Sequence, residues 1–410
     1  MNDISLIPGG VTAATGFSAS GEHLGIRKNR ARRDVALILS EVPASAACCY
    51  TQNLVKGAPI AVTKAHVANG TAQAVICNSG NANTCNANGV EIAEGMCALV
   101  EQYTGVKAGD VIVASTGVIG QPMTLEPFAA GMGKLADALA ATPAGGTHAA
   151  EAIMTTDTVA KEVAVRFTLG GKTCKLGGIS KGSGMICPNM ATMLCFLTTD
   201  ASIAPVALQR ALSTVVPDTF NMLSVDGDTS TNDMVSILAN GRAGNALIET
   251  AMGADYETFK NALYTVCERL CEIMAKDGEG ATKLLTCAVT GAKSDAVAKI
   301  VAKAVIKSTL LKAAVFGADA NWGRVLCAIG YSGADVDVSR VDVNFRSRAG
   351  LIAVCRGGAG VDFNEAAAKS ILSEDEITVQ VALNSGSATA TAWGCDLTYD
   401  YVKINGDYRT

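Results

Sequence analysis

Stretches of two-residue alternation and stretches of helical period are interleaved along the whole 410-residue chain. This mixed order constrains the fold more than any other feature. Strands half-buried on one face and helices with one apolar stripe must cover each other, which predicts an α+β or layered α/β architecture. Val35–Leu39, Ala46–Tyr50, Gln73–Cys77 and Asp110–Ser115 read as strands, and Glu91–Tyr103 and Leu125–Ala141 as helices. Glu162–Leu169 alternates, turns at Gly170-Gly171 and returns through Lys172–Leu176, which predicts a β-hairpin. Pro205–Val215, Asp255–Lys276 and Asp295–Ala314 read as helices, and the chain closes with strands at Glu376–Leu383 and Ser387–Trp393. There is no Pro/Ser-rich linker and no solenoid repeat, and composition marks only a weak boundary near residue 190. The length allows two or three domains.

Hydrophobic residues make up 49% and charged residues 17%, a balance that folds; aromatics are only 5%, so Ala, Val, Leu and Ile must build the core. The net charge of −5 gives no footprint for a nucleic acid. The one basic run, Arg27–Arg33, reads as a solvated loop. The N-terminus lacks the basic and apolar regions of a signal peptide, and no apolar run approaches the roughly 18 residues of a membrane span. The 14 Cys are therefore expected to be reduced, mostly buried and inert, in a cytosolic protein. No CxxC occurs, Cys267 and Cys271 are spaced i,i+4 on a helix, and the His residues are only His23, His66 and His148, so no metal is expected.

Familiar motifs fail on spacing. Gly171-Lys172-Thr173 would need a Gly at position 166, which is Arg166, and Gly182-Ser183-Gly184 would need one at 187, which is Cys187. GxSxG is absent from any plausible elbow, and scattered His make a Ser-His-Asp enzyme a poor fit. There remains Lys181–Thr192, KGSGMICPNMAT. Taken by itself it is a Gly-rich loop entering a strand. It also permits chemistry without His: a Thr hydroxyl attacks the carbonyl before it, hydrolysis frees the Thr, and the new α-amine, with a pKa of about 7.7–8.0, serves as its own base.

At this stretch the chain resembles the ornithine acetyltransferase family, the bifunctional glutamate N-acetyltransferases of arginine biosynthesis. The resemblance runs in order through CNSGNANTCNANG (77–89), ASTGVIGQPM (114–123), AEAIMTTDT (150–158), KGSGMICPNMATML (181–194), VDGDTSTND (225–233), AKDGEGATK (275–283), FGADANWGR (316–324) and YVKINGDYRT (401–410). It implies an α/β (α+β) fold of layered α/β/β/α type, shared with N-terminal-nucleophile aminopeptidases. It also implies cleavage between Ala191 and Thr192, giving an α piece (1–191) and a β piece (192–410) that associate as α2β2.

Matched position by position, the resemblance makes Thr192 the nucleophile and Thr116 and Gly117 the oxyanion-hole pair. Without it, Ser115-Thr116-Gly117 is a turn that ends a strand. Thr155, Lys181, Glu279, Asn405 and Thr410, together with Thr192, match substrate-binding positions. Lys181 is expected to face the substrate carboxylate and Glu279 its side-chain ammonium. The implied reaction carries acetyl from N2-acetyl-L-ornithine to L-glutamate through acetyl-Thr192, with no metal or bound cofactor; some members of the family also take acetyl-CoA as a substrate. Two other readings stay open: an N-terminal-nucleophile amidase, in which water takes the acyl group, and an uncleaved homologue with a binding role.

Overall fold

The computed structural model describes residues 4–187 and 193–406. In chain order the first elements are β1 (Ser5–Ile7), β2 (Phe17–Glu22), β3 (Val35–Tyr50), α1 (Ala58–His66), β4 (Thr71–Asn78), α2 (Gly89–Thr104), β5 (Val111–Ser115), α3 (Glu126–Asp137) and α4 (Pro143–Ile153). Then come β6 (Lys161–Leu169), β7 (Lys172–Lys181), β8 (Leu194–Thr199), α5 (Pro205–Val215), β9 (Leu223–Ser224), β10 (Met234–Ala239) and α6 (Ala254–Lys276). The last are β11 (Leu284–Ala292), α7 (Asp295–Lys307), α8 (Thr309–Phe316), α9 (Trp322–Gly330), β12 (Asp342–Ser347), β13 (Gly350–Arg356), β14 (Ala359–Gly360), α10 (Glu365–Leu372), β15 (Glu376–Ala382), β16 (Ala388–Cys395) and α11 (Tyr399–Gly406).

These elements form two compact units, one of residues 4–182, 193–217 and 229–270 and the other of 183–187, 218–228 and 271–406. The first holds a mixed nine-stranded sheet in the order β1-β6-β7-β8-β10-β3-β4-β5, with β2 also paired to β3. Alternation sorts its residues to two buried faces. Val35, Leu37, Val111 and Val113 pack with Ile92, Met96 and Val100 of α2 and Phe128 and Met132 of α3. Ala36, Ile38, Ile112 and Ala114 join Ala149, Ala152 and Ile153 of α4. A sheet covered on both faces explains why these strands are apolar throughout. The second unit holds a seven-stranded sheet, β14-β13-β12-β15-β11-β16-β9, with α7 against β11 and β16. The expected α/β class is the one the chain adopts.

The hairpin forms where the pattern places it. Leu169 pairs with Lys172, and Gly170 and Gly171 both take positive φ, the two-residue turn that glycine makes without strain. Three expectations need correction. The strands at 35–39 and 46–50 are one strand, β3, whose register with β4 shifts between Leu39 and Ala44. The helix expected to reach Ala141 stops at Asp137, because Ala140 exchanges backbone hydrogen bonds with Ala19, both at 3.1 Å. The long helix 295–314 is two helices: Ser308 is extended (ψ 106°), and its hydroxyl accepts from the Leu311 N–H to start α8. The units also ignore residue 190, since β8, α5 and β10 belong with the strands that precede it. Among the described residues no helix is long and apolar enough to cross a membrane, and no group of three or more His, Cys, Asp and Glu could hold a metal.

Candidate active site

In the first unit, β5 runs straight into Ser115-Thr116-Gly117. The Asn78 carbonyl accepts from the Thr116 N–H at 2.9 Å, and the Asn78 side chain donates to Ser115 Oγ at 2.6 Å. The other end of that amide, Oδ1, accepts from the Gly80 and Asn81 N–H groups at 3.1 and 3.0 Å. Asn232 closes the turn from the other side. Its Nδ2 donates to the Ser115 carbonyl at 2.9 Å and to the Ala82 carbonyl at 2.5 Å, and its Oδ1 accepts from Thr84 and Thr231. Gly117 has φ +127°, and a Cβ there would lie 2.8 Å from the Asn81 nitrogen and from the Gly80 carbonyl carbon. Only glycine combines that conformation with so close a backbone. Among the described residues the Gly117 N–H has no hydrogen-bond partner, so a donor and a hydroxyl sit side by side on a rigid frame.

Lys181, the last residue of β7, is 8% exposed, and its Nζ donates to Thr116 Oγ1 at 3.2 Å. Beside it lies a buried hub. Asp157 Oδ1 accepts from Lys161 Nζ at 2.6 Å and from the Gly182 N–H at 2.7 Å, and Oδ2 from the Thr155 N–H at 2.9 Å. Burial works to raise the Asp157 carboxyl, but the Lys161 and Lys181 charges and these bonds outweigh it and hold the group below the usual carboxylate range. Burial pushes the Lys181 ammonium below its ordinary value, and the charge of Asp157 opposes that. Thr155, Lys181 and Thr116 are thus brought together. Cys77 is close by, but burial pushes its thiol up to about 12, which disqualifies it as a nucleophile near neutral pH.

Ala191 and Thr192 lie outside the described residues, as does Thr410. Met193, the residue after Thr192, is tied to the start of β10: its carbonyl accepts from the Met234 N–H at 3.0 Å. Asp233 is fully buried, and Oδ2 has no partner among the described residues. Burial drives this carboxyl well above the ordinary value, only partly offset by bonds from Ser230, Thr51 and Met193 and by the charge of Lys181.

In the second unit, Glu279 is 8% exposed; its Oε2 accepts from Asn405 Nδ2 at 2.7 Å, and its N–H donates to the Ser183 carbonyl at 2.8 Å. A Cβ on Gly184 would sit 2.3 Å from the Glu279 carboxyl, so a side chain there would displace it. Asp226 accepts from the Met185 and Ile186 N–H groups at 2.6 and 2.9 Å and from the Tyr401 hydroxyl at 3.2 Å. It therefore fixes the loop ahead of Ala191. Burial, then the charges of Asp226 and Glu279, raise the Tyr401 phenol above its usual range.

Some of the anchoring residues were not singled out by motif and spacing. Asp157, Asn232, Asp233 and Asp226 sit inside strings that carry the resemblance, and that placement was their only signal. The Arg27–Arg33 run is not a solvated loop. Arg32 donates to the Thr155 and Asp157 carbonyls at 2.7 and 3.0 Å, and Arg27 to the Ser79 carbonyl at 2.9 Å and to that of Met154. Nothing in a basic run says that carbonyls await it.

A family model described as the ArgJ family matches residues 18–410. A protein from Symbiobacterium thermophilum named arginine biosynthesis bifunctional protein ArgJ is 51% identical over 406 residues, covering 98% of this chain and 99% of its own. One of the same name from Bacillus subtilis is 44% identical over 411 residues, covering 100% and 98%. A crystal structure of arginine biosynthesis bifunctional protein argJ from Bacillus halodurans is 47% identical with a TM-score of 0.48, covering 51% of this chain and 96% of that one. Matched end to end by family model and relatives, and carrying the family's motif strings on the anchored segments described above, the chain belongs to the ArgJ family.

Proposed function

We propose that the chain cuts itself between Ala191 and Thr192 and then moves acetyl from N2-acetyl-L-ornithine to L-glutamate through an acetyl ester on Thr192. The chain is an enzyme, an acyltransferase of the ArgJ family. In the cut, the Thr192 hydroxyl attacks the Ala191 carbonyl, the acyl group passes from nitrogen to oxygen, and water hydrolyses the ester to leave a free amine. In turnover that amine takes the hydroxyl proton, the oxygen attacks the acetyl carbonyl, and the proton goes to the departing amine of ornithine. Glutamate then takes the acetyl group by the reverse sequence. One amide replaces another, so the exchange needs little driving force.

The observation that carries this reading is the pinned Ser115-Thr116-Gly117 turn. Its hydroxyl and its N–H, unpartnered among the described residues, are held on a hydrogen-bonded frame, as stabilisation of a developing oxyanion requires. Thr155, Lys181, Glu279, Asn405 and Thr410 are the substrate-binding set in this reading. Two hydrogen-bonded strand pairs, β7 with β8 and β3 with β10, join residues on either side of the cut, which favours fragments that stay together. The assembly we assign is α2β2, in the cytoplasm, without metal or bound cofactor and with acetyl-CoA as an alternative acetyl donor.

The test is the release of ornithine from N2-acetylornithine with and without glutamate. Release that depends on glutamate and yields N-acetylglutamate is expected. Release at the same rate without glutamate would make the chain an amidase instead.

A further inference from the structure

The Asp226 carboxylate ties together three segments of the second unit. Its Oδ1 accepts from the Ile186 N–H at 2.9 Å and from the Asp228 N–H at 3.2 Å. Its Oδ2 accepts from the Met185 N–H at 2.6 Å and from the Tyr401 hydroxyl at 3.2 Å. The first segment is the loop at 185–186. Met185 holds φ at +54°, in the left-handed region that a residue with a side chain enters only at a cost. Two successive N–H groups turned toward one anion stabilise such a backbone. The Ile186 carbonyl is engaged as well, by the Val225 N–H at 2.7 Å. The second segment is the 226–228 turn itself, and the third is α11. No residue of α11 is buried, so polar bonds and one edge-on ring contact, Tyr399 against Phe316, seat it rather than apolar packing. Tyr401 bonds to Asp226, and Asn405 Nδ2 donates to Glu279 at 2.7 Å and to the Tyr401 carbonyl at 3.0 Å.

We propose that Asp226 is a positioning residue for two separate events. Through Met185 and Ile186 it sets the backbone that leads to the Ala191–Thr192 bond, and so the rate of the cut. Through Tyr401 it seats α11, and so the hold of Asn405 and Glu279 on substrate. This rests on the self-cleaving reading above and on the place of Asn405 and Glu279 in the substrate-binding set. The two events use different donors on one carboxylate, so a change at Tyr401 separates them.

The experiment follows full chains made by cell-free translation, so that cutting is timed from synthesis, and then assays acetyl transfer by the cut enzyme. Asp226→Ala should slow the cut at least ~10-fold, the scale of charge-assisted bonds lost from the loop. Tyr401→Phe should cut within about twofold of the wild-type rate. It should nevertheless raise KM for N2-acetylornithine by roughly 3–10-fold, with kcat per cut chain within about twofold. The cut fraction of Asp226→Ala should show a KM rise at least as large, and adding Tyr401→Phe to it should cost less than about twofold more, because the bond is already gone. Thermal unfolding confirms that each variant is folded. If Asp226→Ala is not, Asp226→Asn takes its place; with one accepting oxygen instead of two, it should slow the cut at least ~3-fold. If Asp226→Ala yields no cut chain, the first event is supported and the second is read on Tyr401→Phe alone. A wild-type cutting rate in Asp226→Ala, an unchanged KM in Tyr401→Phe, KM effects that multiply in the double variant, or a cut equally slow in Tyr401→Phe would overturn the proposal. A wild-type chain that never cuts would instead remove the self-cleaving reading on which it rests.

Discussion

Two buried aspartates in the first unit titrate in opposite directions, and their variants should diverge with pH. Asp157 is held below the carboxylate range, so its contribution to stability is present above the unfolded value of about 3.9 and is lost as pH falls through the lower folded value. Asp233 is raised, so its contribution is present in acid and is lost as pH rises from about 3.9 towards the higher folded value. We expect Asp157→Asn to cost about 3–5 kcal/mol at neutral pH, because it strands the buried Lys161 charge, and to cost less in acid. Asp233→Asn should cost less as pH rises, or turn stabilising. Urea unfolding of both variants between about pH 2 and 8, in the uncut Thr192→Ala chain so that unfolding stays unimolecular, checks both signs. Equal and pH-independent effects would contradict the assignment. Neither behaviour was legible in the sequence. An Asp in a Thr-rich string gives no sign of whether two lysines or only hydroxyls will surround it, because Asp157 and Lys181 meet through sheet pairing.

At the level of elements, sequence pattern served wherever the decisive contacts were local. The hairpin β6–β7 and helix α5 follow from alternation, a Gly-Gly turn and a Pro start. It failed where a single polar residue overrode the period. Ser308 sits within an unbroken helical pattern, yet its hydroxyl is worth more as a cap for α8 than as a helix interior residue. Ser308→Ala should therefore destabilise by about 1 kcal/mol, measured by denaturant unfolding. Asn232 carries more. It joins β10, the end of β5 and the loop at 82–84 through four hydrogen bonds, so Asn232→Ala should lower kcat as well as stability, by about 1–3 kcal/mol for the buried carbonyls left unpaired. A variant with full kcat would show that the Thr116 turn is held by Asn78 alone.

For the whole molecule, the ordered motif strings made the family legible from sequence, while the partition into units was not, because the chain crosses between units at residues 182–183 and again within 217–229 and α6. The fragments 1–191 and 192–410 do not coincide with those units. Strand β8 lies between β7 and β10, and β10 beside β3, so one sheet is built from both sides of the cut. The cleaved protein should thus copurify as both fragments and lose the first unit in one unfolding transition; fragments that part in the absence of denaturant would contradict this. The central claim is the cut itself, and denaturing mass spectrometry of the wild-type chain beside Thr192→Ala tests it most directly. We predict two wild-type fragments, the second beginning at Thr192 and gaining one acetyl group with N2-acetylornithine, and a single intact chain for the variant. A wild-type chain that stays whole would leave Thr192 without its free amine and contradict the account.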